Sequence, residues 1–147
     1  MKPAVPTREA RALSVRINRP ATEAYELLSL PENFPKWASG LGASLRRNGD
    51  DWVAETPEGP AIVRFSERNA YGVLDHQVRL PRGGTVYVPL RVVANGAACD
   101  LVLTLFRRPE MTDAQFAADA EWVLRDLQAA KRLLEDTGSA AGGCCAR

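Results

Sequence analysis

Residues 113–137, DAQFAADAEWVLRDLQAAKRLLEDT, read as one long helix, and that reading decides the fold. At about 100° per residue, Phe116, Ala120, Val123, Leu127, Ala130 and Leu134 fall on one stripe, and Glu121, Arg125, Gln128 and Arg132 cover the opposite face. Thr112 and Gln115 have the spacing of a capping box, in which each side chain takes the other's unpaired backbone N–H. Gly138 is placed to end the helix. An apolar stripe of this length must be buried against another layer. The small residues Ala120 and Ala130 let that layer come close.

The residues ahead of the helix supply the layer. Leu13, Val15 and Ile17 alternate with Ser14 and Arg16, the period of a half-buried strand. Asn18-Arg19-Pro20 stops it, ATEAYELLSL follows as a short helix, and PENFPKWAS forms a second short helical piece closed by Gly40 and Gly42. Six strands are then predicted at short, regular spacing: Ala43–Arg47, Trp52–Thr56, Ala61–Arg68, Val73–Leu80, Thr85–Ala94 and Ala98–Arg107. Asn48-Gly49-Asp50 and Asn95-Gly96 mark hairpins between them. Such a meander curls under its own twist, and its concave apolar face needs a cover. The expected fold is α+β: a seven-stranded curved antiparallel sheet around a long C-terminal helix, with two short helices after the first strand. Residues 10–137 form one domain in this reading, with 1–9 and 138–147 as flexible tails.

Three stretches carry a resemblance to a known superfamily: VRINRPATEAYELLSLPENFPKWASGL (15–41), VPLRVVANG (88–96) and LTLFRRPEMTDAQFAADAEWVLRDLQAAKRLLE (103–135). The chain resembles the SRPBCC superfamily, which includes START domains, the birch-pollen-allergen family and polyketide cyclase/dehydrase-related proteins. Among these it is most similar to the bacterial polyketide cyclase-like branch. The resemblance covers roughly residues 11–136 and implies a helix-grip fold with an apolar cavity between sheet and helix. The glycine-rich loop of the allergen branch has no counterpart here, and no residue-by-residue match to an aromatase or cyclase catalytic set is present.

Composition narrows the function classes. With 19 Lys+Arg against 18 Asp+Glu, the net charge of +1 provides no basic stripe for nucleic acid. No apolar run approaches the ~20 residues of a membrane span, and MKPAVPTREARAL lacks the apolar core of a signal peptide. A cytoplasmic protein, monomeric or weakly dimeric, is expected. The single histidine and the absence of CxxC or HExxH spacing predict no metal and no cofactor. Cys144 and Cys145, adjacent near the C-terminus, are expected to be reduced surface thiols.

The candidate site follows from strand alternation. In VLDHQVRL (73–80), Leu74, His76, Val78 and Leu80 share one face, while Val73, Asp75, Gln77 and Arg79 share the other, which should face water. His76 therefore points into the concave side, either as a satisfied core group, as a ligand contact or as a weak catalytic candidate. Placing Tyr87 and Arg91 outward lines the interior with Val86, Val88, Leu90 and Val92. Phe34 and Trp37 belong at the pocket mouth or in the core. Asp119 and Asp126 sit at the edge of the helix stripe, as a solvated margin or as pocket carboxylates. Trp122 begins a second line that either packs against the sheet end or marks a dimer contact. The expected ligand-binding set is Phe34, Trp37, Phe65, Leu74, His76, Val78, Val88, Leu90, Phe116, Val123, Asp126 and Leu127. The function expected is binding or carrying a small hydrophobic molecule. A polyketide cyclase or dehydratase is the first alternative and a protein-interaction module the second.

Overall fold

The computed structural model describes residues 6–39 and 44–145. Strand β1 (Ala10–Ile17) is followed by helix α1 (Ala21–Leu28) and a 3-10 helix (Pro31–Lys36). Seven further strands come next: β2 (Arg46–Asn48), β3 (Asp51–Thr56), β4 (Gly59–Phe65), β5 (His76–Arg79), β6 (Thr85–Val88), β7 (Leu90–Asn95) and β8 (Ala98–Phe106). Helix α2 (Asp113–Cys145) closes the chain. Gly40, Gly42 and Ala43, expected to close the second short helix and open a strand, lie outside the described residues, as do the side chains of Cys144 and Cys145.

Among the described residues the strands number eight rather than seven, because the predicted strand 85–94 is two strands. The break is at Pro89, which has no N–H to give to a ladder. β6 pairs with β5, and β7 crosses to pair with β8, giving a five-stranded sheet β2-β3-β4-β5-β6 and a three-stranded sheet β1-β8-β7. A bridge between Val73 and Arg91 ties the two sheets together. Beside it, the Leu74 N–H donates to Leu90 O at 2.8 Å and the Val92 N–H to Gly72 O at 2.9 Å. A Cβ on Gly72 would come within 2.3 Å of the Val92 oxygen, so the join requires glycine there.

The expected faces hold with one exception. His76, Val78, Leu90 and Val92 are buried while Gln77, Arg79 and Arg91 are exposed. Asp75, expected to face water, is instead 9 % exposed. Its carboxylate accepts from the Leu90 N–H at 2.8 Å, from Tyr87 at 2.7 Å and from Arg91 at 3.1 and 2.9 Å. Asp75 thus takes up the N–H that the Pro89 break leaves without a strand partner. Burial alone pushes its carboxyl up, but the bonds from Arg91, Tyr87 and the Leu90 N–H outweigh burial and hold it at about 2.

The capping box forms as predicted: Thr112 N–H to Gln115 Oε1 at 2.8 Å, and Gln115 N–H to Thr112 Oγ1 at 3.1 Å. α2 then lies across the three-stranded sheet, burying Phe116, Ala120, Leu127, Ala130 and Leu134. Lys131 Nζ donates to Arg16 O at 2.6 Å, and the Asn18 N–H donates to Glu135 at 2.9 Å, fixing the helix against the end of β1. The helix does not stop at Gly138. It continues through Cys145, because Ser139-Ala140-Ala141 propagates it and no proline follows.

Candidate functional site: an apolar cavity beneath the long helix

The 3-10 helix is the element that shapes the interior. Pro31 and Pro35 fix its backbone, and Phe34 within it and Trp37 at its C-cap turn inward, 4 % and 5 % exposed. Asn33 Nδ2 anchors it to Leu27 O at 2.9 Å. Just past its end, the Ser39 hydroxyl and N–H donate to Asp126 Oδ1 at 2.6 and 3.2 Å, so the element hangs between α1 and α2. Phe34 meets Trp37, Phe65 and His76 edge-on, with ring centroids 5.2, 5.2 and 5.5 Å apart.

Behind this cluster, α2 stands away from β5 and β6 and leaves a cavity of about 380 Å³. Its floor is Val78, Leu80, Val86 and Val88 from β5, β6 and their turn, with Leu103 to Phe106 of β8. Its roof is Asp119, Trp122, Val123, Asp126 and Leu127 of α2, and Phe34, Trp37 and His76 close one end. A second, smaller cavity of about 150 Å³ lies toward α1, between Tyr25, Leu28, Phe65 and Leu74.

Few polar groups face this volume. His76 Nδ1 lies 3.1 Å from Leu74 O. A carbonyl only accepts, so Nδ1 carries the proton. Burial pushes the ring's pKa down and keeps it neutral, although the Leu74 carbonyl pulls the other way. Nε2 is then a lone-pair acceptor, and among the described residues no partner takes it. The Trp37 indole N–H is buried and also has no partner. Burial pushes the carboxyls of Asp119 and Asp126 up; Arg108 partly offsets this at Asp119, and the Ser39 bonds do so at Asp126.

No protein-family model matches the sequence, and no curated protein does. Solved structures do match. The ZhuI aromatase/cyclase from Streptomyces sp. R1128 superposes with a TM-score of 0.67 at 17 % identity, over 92 % of this chain and 99 % of that one. A START superfamily protein from Mycobacterium smegmatis gives 0.62 at 13 % identity, over 87 % and 98 %. Ara h 8.0201, of the Bet v 1 type, gives 0.63 at 9 % identity, over 88 % and 99 %. The chain has the helix-grip fold. At these identities the likeness is one of architecture and assigns no activity.

Of the residues proposed from the sequence, Phe34, Trp37, His76, Val78, Val88, Val123, Asp126 and Leu127 line the main cavity. Phe65, Leu74 and Leu90 line the smaller one. Phe116 lines neither. It packs between the guanidinium groups of Arg11 and Arg107, 4.8 and 5.9 Å from its ring centre, because its place on the stripe faces β1 rather than the cavity. Trp122 is 46 % exposed at the cavity rim with Arg125 over its ring at 5.5 Å. The residues absent from the expected set are Ala38, Leu80, Val86, Tyr87, Arg108, Asp119, Trp122 and the β8 segment 103–106. Alternation gave the signal for Leu80 and Val86. In β8 the signal is weaker, because the face opposite Cys99, Leu101 and Leu103 mixes Asp100 and Thr104 with Ala98, Val102 and Phe106 and is only half-buried.

Proposed function

We propose that the protein binds or carries a small hydrophobic molecule, lipid-like or aromatic and polyketide-like, in the cavity between the sheet and α2. One observation carries the reading: a cavity of about 380 Å³ whose wall is mostly aliphatic and aromatic, with a small number of polar side chains, His76, Asp119 and Asp126 among them. That volume and polarity are typical of small-molecule sites. The apolar wall supplies affinity, and His76 Nε2 supplies an acceptor to orient a hydroxyl. The protein acts as a monomer or weak homodimer in the cytoplasm and needs no cofactor in this reading.

A thermal-shift series with fatty alcohols, fatty acids and fused-ring phenols, followed by native mass spectrometry, tests it. A true ligand at 100 times its Kd stabilises the fold by about 2.7 kcal/mol. Failure of every member to shift the transition would sink the proposal.

A second reading, a cyclase or dehydratase acting on a polyketide-like chain, is favoured by the free Nε2 of a neutral His76 at the cavity wall. A base there is placed to take a proton while the wall holds the chain folded. His76→Gln should then remove turnover of a poly-β-ketone thioester while leaving its binding in place. Full turnover by that variant would remove His76 from the chemistry.

A further inference from the structure

Phe34, Trp37 and His76 line both cavities, so the two volumes are neighbours with these three side chains between them. Phe34 is at the centre of the separating cluster, edge-on to each of Trp37, Phe65 and His76. Of the three rings, only His76 is tied by a side-chain hydrogen bond among the described residues, its Nδ1 to Leu74 O. The Phe34 ring is held by edge-on packing alone. Beyond the partition the smaller cavity continues between α1 and Leu74, and it has polar groups of its own in Ser29, Ser66 and Arg68.

We propose that Phe34 is the specificity-determining residue that sets the length of ligand this site accepts. Its ring confines the ligand to the main cavity, and removing it joins the two volumes into one longer channel. The inference rests on the reading of the main cavity as a binding site. The ligand it concerns is an unbranched apolar chain with a small polar end.

The size of the effect follows from burial. Each methylene that enters an apolar wall tightens binding about fourfold. Affinity for a homologous series therefore rises with chain length until the accessible volume is full, and then stops rising. In the native protein the rise stops when the main cavity of about 380 Å³ is filled. With Phe34 truncated it should continue through the further 150 Å³ and the space the ring itself vacates.

The test is a calorimetric titration of straight-chain alcohols from hexanol to hexadecanol into the native protein, Phe34→Ala and Phe34→Leu. The leucine variant covers the case in which alanine leaves a gap too large for the chain to fold around. Circular dichroism confirms that each variant is folded. The expected result is a plateau several methylenes later in Phe34→Ala, and at an intermediate length in Phe34→Leu. The longest alcohols then bind the alanine variant at least tenfold more tightly than the native protein. A plateau at the same chain length in all three proteins overturns the role of Phe34 but leaves the binding site standing. Absence of binding by the native protein and the variants alike overturns both.

Discussion

The two sheets meet helix α2 in opposite ways. On the three-stranded sheet the helix lies in contact, and Ile17, Cys99, Leu101, Leu127 and Ala130 are completely buried between them. Over β5 and β6 it stands off, and Val86 and Val88 are only partly covered. The same helix is a core element along one edge and a cavity roof along the other. The difference lies in what is inserted. Ala120 and Ala130 let α2 close on the first sheet, whereas Phe34 of the 3-10 helix and Trp37 just past it fill the end of the space between α2 and the second.

The sharpest way to break this contrast is to make one deletion on both sides. Leu101→Ala, under the packed helix, should cost about 3–4 kcal/mol, since a closed core cannot relax into the gap. Leu80→Ala, on the cavity wall, removes the same atoms from a surface already open and should cost about 1 kcal/mol. Urea unfolding of the pair decides it, and equal losses would mean that the cavity is closed in solution.

The joint between the sheets comes next. Asp75 binds Arg91, Tyr87 and the Leu90 N–H, with its pKa held at about 2. A depressed carboxyl contributes stability above its unfolded pKa of about 3.9 and loses it as pH falls toward the folded value. The native protein should therefore lose about 2 kcal/mol between roughly pH 4 and pH 2 through this group. Asp75→Asn should be less stable at pH 7 by a similar amount and flatter across that window. An unchanged acid limb would show that Asp75 is not the joint.

A smaller effect separates binding from folding. Val88→Phe fills the cavity from its partly covered floor. It should weaken binding of any cavity ligand about tenfold while changing stability by less than about 1 kcal/mol. Thermal shifts with and without ligand report both numbers. The smallest effect is that of His76. Burial depresses its pKa, so the unfolded chain takes up a proton that the folded state refuses. Stability should fall gently as pH drops below about 6.5, and His76→Gln should remove that slope in chemical denaturation at stepped pH.

The particular misreadings have a common physical origin. Alternation counts Asp75 as a solvent residue because it is polar. Its partners Tyr87 and Arg91 are 12 and 16 positions away, so nothing local announces the pairing. Phe116 shares a stripe with Leu127, and spacing alone therefore groups it with the cavity residues. One stripe on a long helix serves a packed sheet and a cavity in turn, and spacing cannot divide it. The unpartnered Trp37 N–H was equally invisible, since an indole's hydrogen bonding depends on whatever surrounds it after folding.

The sequence by itself determined the long capped helix, the hairpins at Asn48-Gly49 and Asn95-Gly96, the inward face of His76 and the single concave apolar surface. These follow from spacings of two, three and four residues, within which backbone geometry is already settled. Tertiary structure alone decided that Pro89 splits a strand between two sheets, that Asp75 closes the gap, and that two cavities meet at Phe34. Each of those depends on which distant segments become neighbours, and that is set by packing the whole chain at once.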